Sequence, residues 1–350
     1  MIEIVPRENV SRPVQALVPV IAAVVALALA AIPLAAAGAP VIPAYAQMFK
    51  GVFGSVFTFT EMLTRATPLI FTGLAAAVAF RAKLWNIGGE GQLYLGALAA
   101  VWVGTGMFDG SPWVMIPVVL LAGALAGGLG MLVPATLKTR FGADEVVTSL
   151  LLNFIILIFV QMMLEGPFKD PMGLGWPQSE PIVDNAVLPP LMERMRLHAG
   201  FIIALGLAVI AWVVMTKTVW GLKIRAVGEN RDAARHAGIG VNRIYIGVAL
   251  ASGALAGLAG VSEVAGLKGY LTADLSPGFG YTGIIVAMLA LLNPLGVVVS
   301  ALFVAGVFVG ADSMSRAIGV PTYIADALMA AALLFMVLAL LLSRVRVRRG

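Results

Sequence analysis

Long apolar runs separated by short polar joints set the pattern of this chain. Runs with few or no charges occupy Val14–Ala37, Val52–Phe80, Leu93–Met107, Trp113–Leu137, Val146–Leu164, Phe201–Met215, Ile244–Ala265, Tyr281–Leu292, Leu295–Ala311 and Tyr323–Leu342. A helix crosses a bilayer core with ~20 apolar residues, so the runs predict an all-α, polytopic membrane protein of about ten transmembrane helices. A β-barrel would show shorter, alternating segments. The first run exceeds the roughly 7–15 apolar residues of a signal peptide, which makes it a retained span with a cytoplasmic N-terminus. Tyr281–Leu292 is short, so it either extends back through Gly278-Phe279-Gly280 or enters as a half-helix. Broken or re-entrant helices are therefore expected.

Residues 1–13 then form a cytoplasmic N-terminal segment, 14–343 a transmembrane domain and 344–350 a basic cytoplasmic tail. Within the membrane domain, 165–199 is an extracytoplasmic loop and 217–243 a cytoplasmic one. Arg81/Lys83, Lys138/Arg140, the 217–243 loop and the tail all fall on the cytoplasmic side, as the positive-inside rule requires. Asp109, the Pro- and Gly-rich 165–199 loop and the Lys268–Ser276 joint fall outside. The outer loop reads either as a lid or as a docking surface for an extracytoplasmic partner.

Composition sharpens this picture. The chain is 60% hydrophobic and only 12% charged, against about 25% charged in soluble domains; the lipid bilayer is its main solvent. The net charge of +5 is spread over the ends of apolar runs, which argues against a nucleic-acid partner. There is no cysteine, and the two histidines, His198 and His236, are far apart. No thiolate chemistry or metal-ligand spacing exists, and no catalytic constellation is expected. Nor is there a Gly-Lys-Ser/Thr phosphate loop, so any ATP and its Mg belong on another subunit.

Two polar stretches carry the candidate chemistry. In "FRAKLWNIGGEGQ", Phe80–Gln92, two cations, two amides, three glycines and a carboxylate interrupt the hydrocarbon. Glu90 ionised at mid-membrane costs roughly 2.5–3.5 kcal/mol unless it is paired or hydrated. Arg81 or Lys83 is a candidate partner if the chain turns back. The stretch is either a broken helix on a solute route or a cytoplasmic turn in which Asn86 caps the next helix. The candidate pathway residues are Asn86, Glu90, Gln92 and Asn153. Elsewhere, the glycines of Ser252–Gly260 suggest close helix packing.

In "WGLKIRAVGENRDAARHAGIGVNR" a short helix has its punctuation in place. Asn230 suits the N-cap, Asp232 the first turn, Arg235 and His236 the last, and Gly238 the left-handed position beyond it. Two turns are marginal alone, so the helix leans on the bundle or on a separate protein. Arg231, Arg235, Ala233 and Ala234 are expected to present small and cationic groups outward, suited to a groove on a soluble partner.

These stretches, with "DEVVTSLLLNF" (Asp144–Phe154) and "GFGYTGIIVAMLALLNPLG" (Gly278–Gly296), resemble permease subunits of bacterial ABC importers. The similarity is to the branched-chain amino acid/ribose-type superfamily, in its nucleoside and simple-sugar branch. Asn86, Ile87, Gly88, Glu90, Gly91 and Gln92 match one family pattern; Glu145, Val146, Thr148 and Asn153 match a second. A third runs from Gly221 through Arg225, Gly228, Asn230, Ala233, Ala234 and Gly238 to Ile239. Lys83 and Ala290-Leu291-Leu292 depart from the pattern. The resemblance implies that residues 14–343 are a permease domain in the bacterial inner membrane, without a cofactor of its own. It makes 217–243 the coupling loop, with Gly221, Arg225, Gly228, Glu229, Asn230, Arg231, Ala233, Ala234, Arg235, Gly238 and Ile239 engaging a cytoplasmic ATP-binding subunit. A second permease subunit, identical or related, an extracytoplasmic substrate-binding lipoprotein and a nucleoside or sugar solute complete the implied system. The alternative is a secondary transporter driven by an ion gradient.

Overall fold

The computed structural model describes residues 40–106 and 110–319 without a break, residues 2–6 and 345–349, and scattered positions within 24–38 and 327–334. The expected spans Val14–Ala37 and Tyr323–Leu342, most of the N-terminal segment, and Asp109 lie wholly or largely outside the described residues. The helices are α1 (Val41–Phe53), α2 (Val56–Arg81), α3 (Gly89–Gly104), α4 (Pro112–Phe141), α5 (Glu145–Glu165), α6 (Gly200–Lys217), α7 (Val219–Glu229), α8 (Arg231–His236), α9 (Val241–Glu263), α10 (Phe279–Leu289) and α11 (Pro294–Ile318). A π-helical turn, Val264–Lys268, continues α9. Among the described residues, six segments are long and apolar enough to cross a membrane: α2, α4, α5, α6, α9 with its π turn, and α11. The protein is thus an all-α, polytopic membrane protein, apart from an antiparallel ribbon in which β1 (Ile2–Pro6) pairs with β2 (Val345–Arg349). The expected basic tail supplies that second strand.

The chain divides into two compact units, residues 1–62 with 302–350, and residues 63–301. In the first, α1 packs on the C-terminal part of α11 through Leu34, Ala44, Met48, Ala311 and Met314. Helix α1 is not among the elements expected from the sequence, and the run beginning at Val52 proves to straddle two helices. The break falls at Gly54-Ser55, where the Ser55 hydroxyl accepts the Thr58 N–H (3.1 Å) and starts α2.

In the second unit, α9 lies between α3 and α4 with backbones almost touching. A Cβ added at Gly96 or Gly127 would fall on the carbonyl oxygens of Gly257 and Gly253, and one at Gly260 on that of Leu93. The small residues of Ser252–Gly260 therefore form a seam, as their spacing suggests. Local signals set the connections. Helix α4 stops at Gly142 in a left-handed conformation (φ 70°), and Asp144 caps α5 by accepting the Val146 N–H at 2.8 Å. The 165–199 loop is tied down along its length: Ser179, Ile182 and Leu188 donate their N–H groups to the carbonyls of Leu271, Gly269 and Ala265 at 2.7–2.9 Å. His198 is buried against Gly266, and that burial pushes its imidazole down to about 4.

Candidate functional site

After α2 ends at Arg81, the coil Ala82–Gly88 turns back alongside the helices it has just left. Lys83, with φ 53°, makes the reversal. Asn86 then donates to the Ser252 hydroxyl (2.9 Å), which donates to the Ala75 carbonyl (2.7 Å). Ala75 lies about 9 Å back along α2 from Arg81, and Ser252 about 16 Å into α9, at 1.5 Å per residue. The first turn of α3 therefore sits inside the bundle, short of the ends of both α2 and α9. The short α3 is a half-helix, which favours the broken-helix reading of this stretch over a cytoplasmic turn.

The four predicted pathway residues are all buried and are brought together. Asn86 and Gln92 exchange amide hydrogen bonds at 2.8 and 2.9 Å, and Asn86 also accepts the Gly88 N–H at 2.9 Å. Asn153 of α5 accepts the Gly91 N–H and donates to the Ile87 carbonyl, each at 2.8 Å. Its amide also lies 3.3 Å from the Tyr281 hydroxyl. Two amide side chains thus satisfy backbone groups that a broken helix leaves bare, which inside a membrane would otherwise cost several kcal/mol each.

Glu90 is not paired with Arg81 or Lys83. Its carboxylate accepts the Gly280 N–H at 2.6 Å, at the N-terminus of α10. Helix α10 begins beside the start of α3, after the 269–278 stretch. The Tyr94 hydroxyl holds that stretch by donating to the Ala273 carbonyl (2.7 Å) and accepting the Ser276 N–H (3.2 Å). Two half-helices therefore meet N-terminus to N-terminus, and Gly89 and Gly280 let their backbones touch. Each N-terminus carries about half a positive charge, so one carboxylate between them is electrostatically at home. At the far end of α10, Arg81 donates to the carbonyls of Leu292 (3.3 Å) and Leu291 (3.4 Å). Both leucines have left-handed φ, 53° and 58°, which turns their carbonyls out of the helix. An anion at the N-terminus and a cation at the C-terminus bracket α10, and both come from the Phe80–Gln92 stretch. Lys83 is exposed and takes no part.

The 217–243 loop divides into a platform and a tip. In the platform, α7, Gly221 packs on the carbonyls of Val214 and Met215 and Gly228 on that of Arg81, while Arg225 donates to Met215. These three residues hold the loop to the bundle. The tip is α8, as the caps predict: Asn230 accepts the N–H groups of Asp232 and Ala233, both at 3.0 Å, and Gly238 has φ 79°. Glu229, Asn230, Ala233, Arg235 and Gly238 are exposed, and Ile239 partly so. One expectation needs correction: Ala234 points inward and is buried. Arg231 is exposed like Arg235, and its guanidinium lies 5.5 Å from the centre of the Tyr245 ring.

Sequence reasoning missed Ser252, read only as part of a packing motif, and Ser149, whose hydroxyl accepts the Ile87 N–H at 3.2 Å. It also missed the ion pair between Lys138 and Glu145, although both residues stood at the ends of predicted runs.

Half-helices meeting inside a bundle, with a docked amphipathic loop on one side, define a solute-conducting membrane subunit. The chain belongs to the family of branched-chain amino acid transport system / permease components, whose profile matches residues 58–337. It is 37% identical over 361 residues to the glucose ABC transporter permease protein TsgB13 of Haloferax volcanii, covering 99% of this chain and 94% of that one. It is likewise 37% identical over 333 residues to the guanosine ABC transporter permease protein NupP of Bacillus subtilis, covering 93% and 94%. With the nucleoside ABC transporter permease protein NupB of Lactococcus lactis it shares 33% over 329 residues, covering 92% and 90%. No solved structure matches the chain. It is therefore a permease subunit of an ABC-type importer, and ATP hydrolysis occurs on a separate subunit. Membership also implies a substrate-binding component.

Proposed function

We propose that this subunit conducts a nucleoside or a simple sugar into the cell, through a route that passes the junction of α3 and α10. The observation carrying this reading is the head-to-head meeting of two half-helices inside the bundle, held by Glu90, Asn86, Gln92 and Asn153. Broken helices of this kind mark the paths of polar solutes in transporters. The solute class is supported by the relatives, whose names specify glucose, guanosine and nucleosides.

In this reading about ten helices cross the inner membrane, each with ~20 residues in the core, and both termini are cytoplasmic. Pairing of residues 2–6 with 345–349 supports an even number of crossings. A second permease subunit completes the membrane part, and an extracytoplasmic binding lipoprotein delivers the solute. The exposed face of α8, with Arg235 and Ala233, enters a cleft on the ATPase, while Gly221, Arg225, Gly228 and Ala234 hold α8 on the bundle. Docking shifts the permease between inward and outward states only so far as the two states bind the ATPase differently.

Uptake of labelled nucleosides and sugars into vesicles holding the permease with its ATPase tests this. The expected result is ATP-dependent uptake that Arg235→Glu abolishes, with the ATPase no longer co-purifying. Uptake indifferent to ATP and to the substitution would replace the importer reading with a secondary transporter.

A further inference from the structure

The coupling loop and the polar junction are separated in sequence by more than a hundred residues, yet a line of contacts connects them. Arg231, the first residue of α8, lies 5.5 Å from the centre of the Tyr245 ring. Lys138, near the end of α4, lies 5.5 Å from the same ring centre. Tyr245 is buried, and two cations from two different elements lie beside its ring. Lys138 is also ion-paired with Glu145 at the start of α5, and Glu145 is itself buried. The other carboxylate oxygen of Glu145 accepts the Trp85 N–H at 3.2 Å. Trp85 precedes Asn86 in the re-entrant coil.

The coil is not helical, it reverses at a left-handed Lys83, and Glu145 and Ser149 hold its N–H groups at Trp85 and Ile87. The loop also grips the chain just upstream, where Gly228 abuts the Arg81 carbonyl and the Ala82 Cα. Arg81 in turn holds the C-terminal end of α10. The Lys138–Glu145 pair is largely buried, and separating a buried pair is costly, so a displacement of one member draws the other with it.

We propose that Tyr245, with Arg231 and Lys138 beside its ring and the Lys138–Glu145 pair beyond it, carries movement of the docked coupling helix to the re-entrant coil at Trp85. Tyr245, Lys138 and Glu145 are positioning residues: they touch neither solute nor nucleotide, and they set where the α3–α10 junction sits in each nucleotide state. The proposal rests on α8 being the coupling helix. It adds the route by which docking reaches the solute path.

The test uses the reconstituted permease–ATPase complex. Three quantities are measured: ATPase co-purification, ATP hydrolysis, and solute moved per ATP. Tyr245→Phe keeps the ring and is expected to match wild type. Tyr245→Leu and Lys138→Met are expected to keep the ATPase bound and hydrolysing while solute moved per ATP falls at least fivefold. The Lys138→Glu/Glu145→Lys exchange should recover part of that loss. The chain has no cysteine, so Trp85→Cys gives a positional readout, its thiol labelling rate changing with nucleotide in an otherwise wild-type chain and not in Tyr245→Leu. Wild-type stoichiometry in Tyr245→Leu would overturn the proposal. So would a loss of assembly, hydrolysis and melting temperature together, which marks Tyr245 as ordinary packing. Failure of the coupling reading itself shows earlier, as ATP-independent uptake by the wild type.

Discussion

The seam between α9 and its neighbours α3 and α4, and the junction between α3 and α10, both bring helix backbones into contact, by opposite means. At the seam, Gly96, Gly127, Gly253 and Gly257 leave no side chain between the helices, and the contact is van der Waals packing of backbone on backbone. At the junction, glycines admit the approach, but charged and amide side chains hold it: Glu90 on Gly280, Asn153 on Gly91, Asn86 on Gln92. A close-packed seam has one good arrangement, because displacement by even part of an ångström forfeits its contacts. Hydrogen bonds to a carboxylate can be exchanged for others, including bonds to water or solute. The seam is thus suited to hold the bundle together and the junction to change.

The contrast breaks first at the seam. Gly257→Val puts methyl groups onto the Gly123 carbonyl, where backbone on both sides cannot yield. The expected cost is about 3 kcal/mol, seen as loss of monodisperse protein in detergent. At the junction the effect on folding is smaller and the effect on transport larger. Glu90→Ala leaves the Gly280 N–H buried without its acceptor, a loss of about 1–3 kcal/mol. The protein should still be purified with its ATPase, with uptake reduced more than tenfold. Glu90→Gln retains an acceptor and should lie between Glu90→Ala and wild type. Equal losses of yield and uptake in all three variants would erase the distinction between seam and junction.

At the tip, Asn230→Ala removes the cap of a two-turn helix and costs about 1 kcal/mol. A titration of ATPase onto the permease should show affinity weakened about fivefold, with the melting temperature of the bundle unchanged. The smallest effect is expected at the 165–199 loop, which resembles the seam in being fixed. The ordinary imidazole value is 6.5 and burial lowers that of His198 to about 4. Below pH 6.5 the opened loop takes up a proton that the folded His198 refuses. The loop's contribution to stability is therefore complete above pH 6.5, and is lost progressively as pH falls towards 4. Limited proteolysis of residues 165–199 should accelerate across that window, and His198→Phe should remove the pH dependence.

Much of this was legible in the sequence, for identifiable reasons. Long apolar runs give spans because a bilayer fixes their length, and Asn230 and Gly238 mark α8 because cap chemistry is local. The glycines of Ser252–Gly260 announce a seam because small residues in a helix have few other uses. The partner of Glu90 was not legible. Arg81 and Lys83 were the charges nearest in sequence, whereas the group that binds Glu90 is a backbone N–H 190 residues away, and every residue but proline carries one. Helix α1 was hidden because apolarity continues through Gly54-Ser55. The orientation of Ala234 was hidden because a helix this short has no periodicity to read.

A route through the α3–α10 junction that nucleotide state opens and closes would change the access of water to the residues beside it. Tyr281, in the first turn of α10, is partly exposed beside Asn153, and Tyr281→Cys would be the only thiol in the chain. The most direct measurement is its rate of modification by a water-soluble thiol reagent in the reconstituted complex, with and without ATP trapped on the ATPase. The account predicts a severalfold change in rate between the two states and protection by transported solute. An identical rate in both states, with solute without effect, would contradict it.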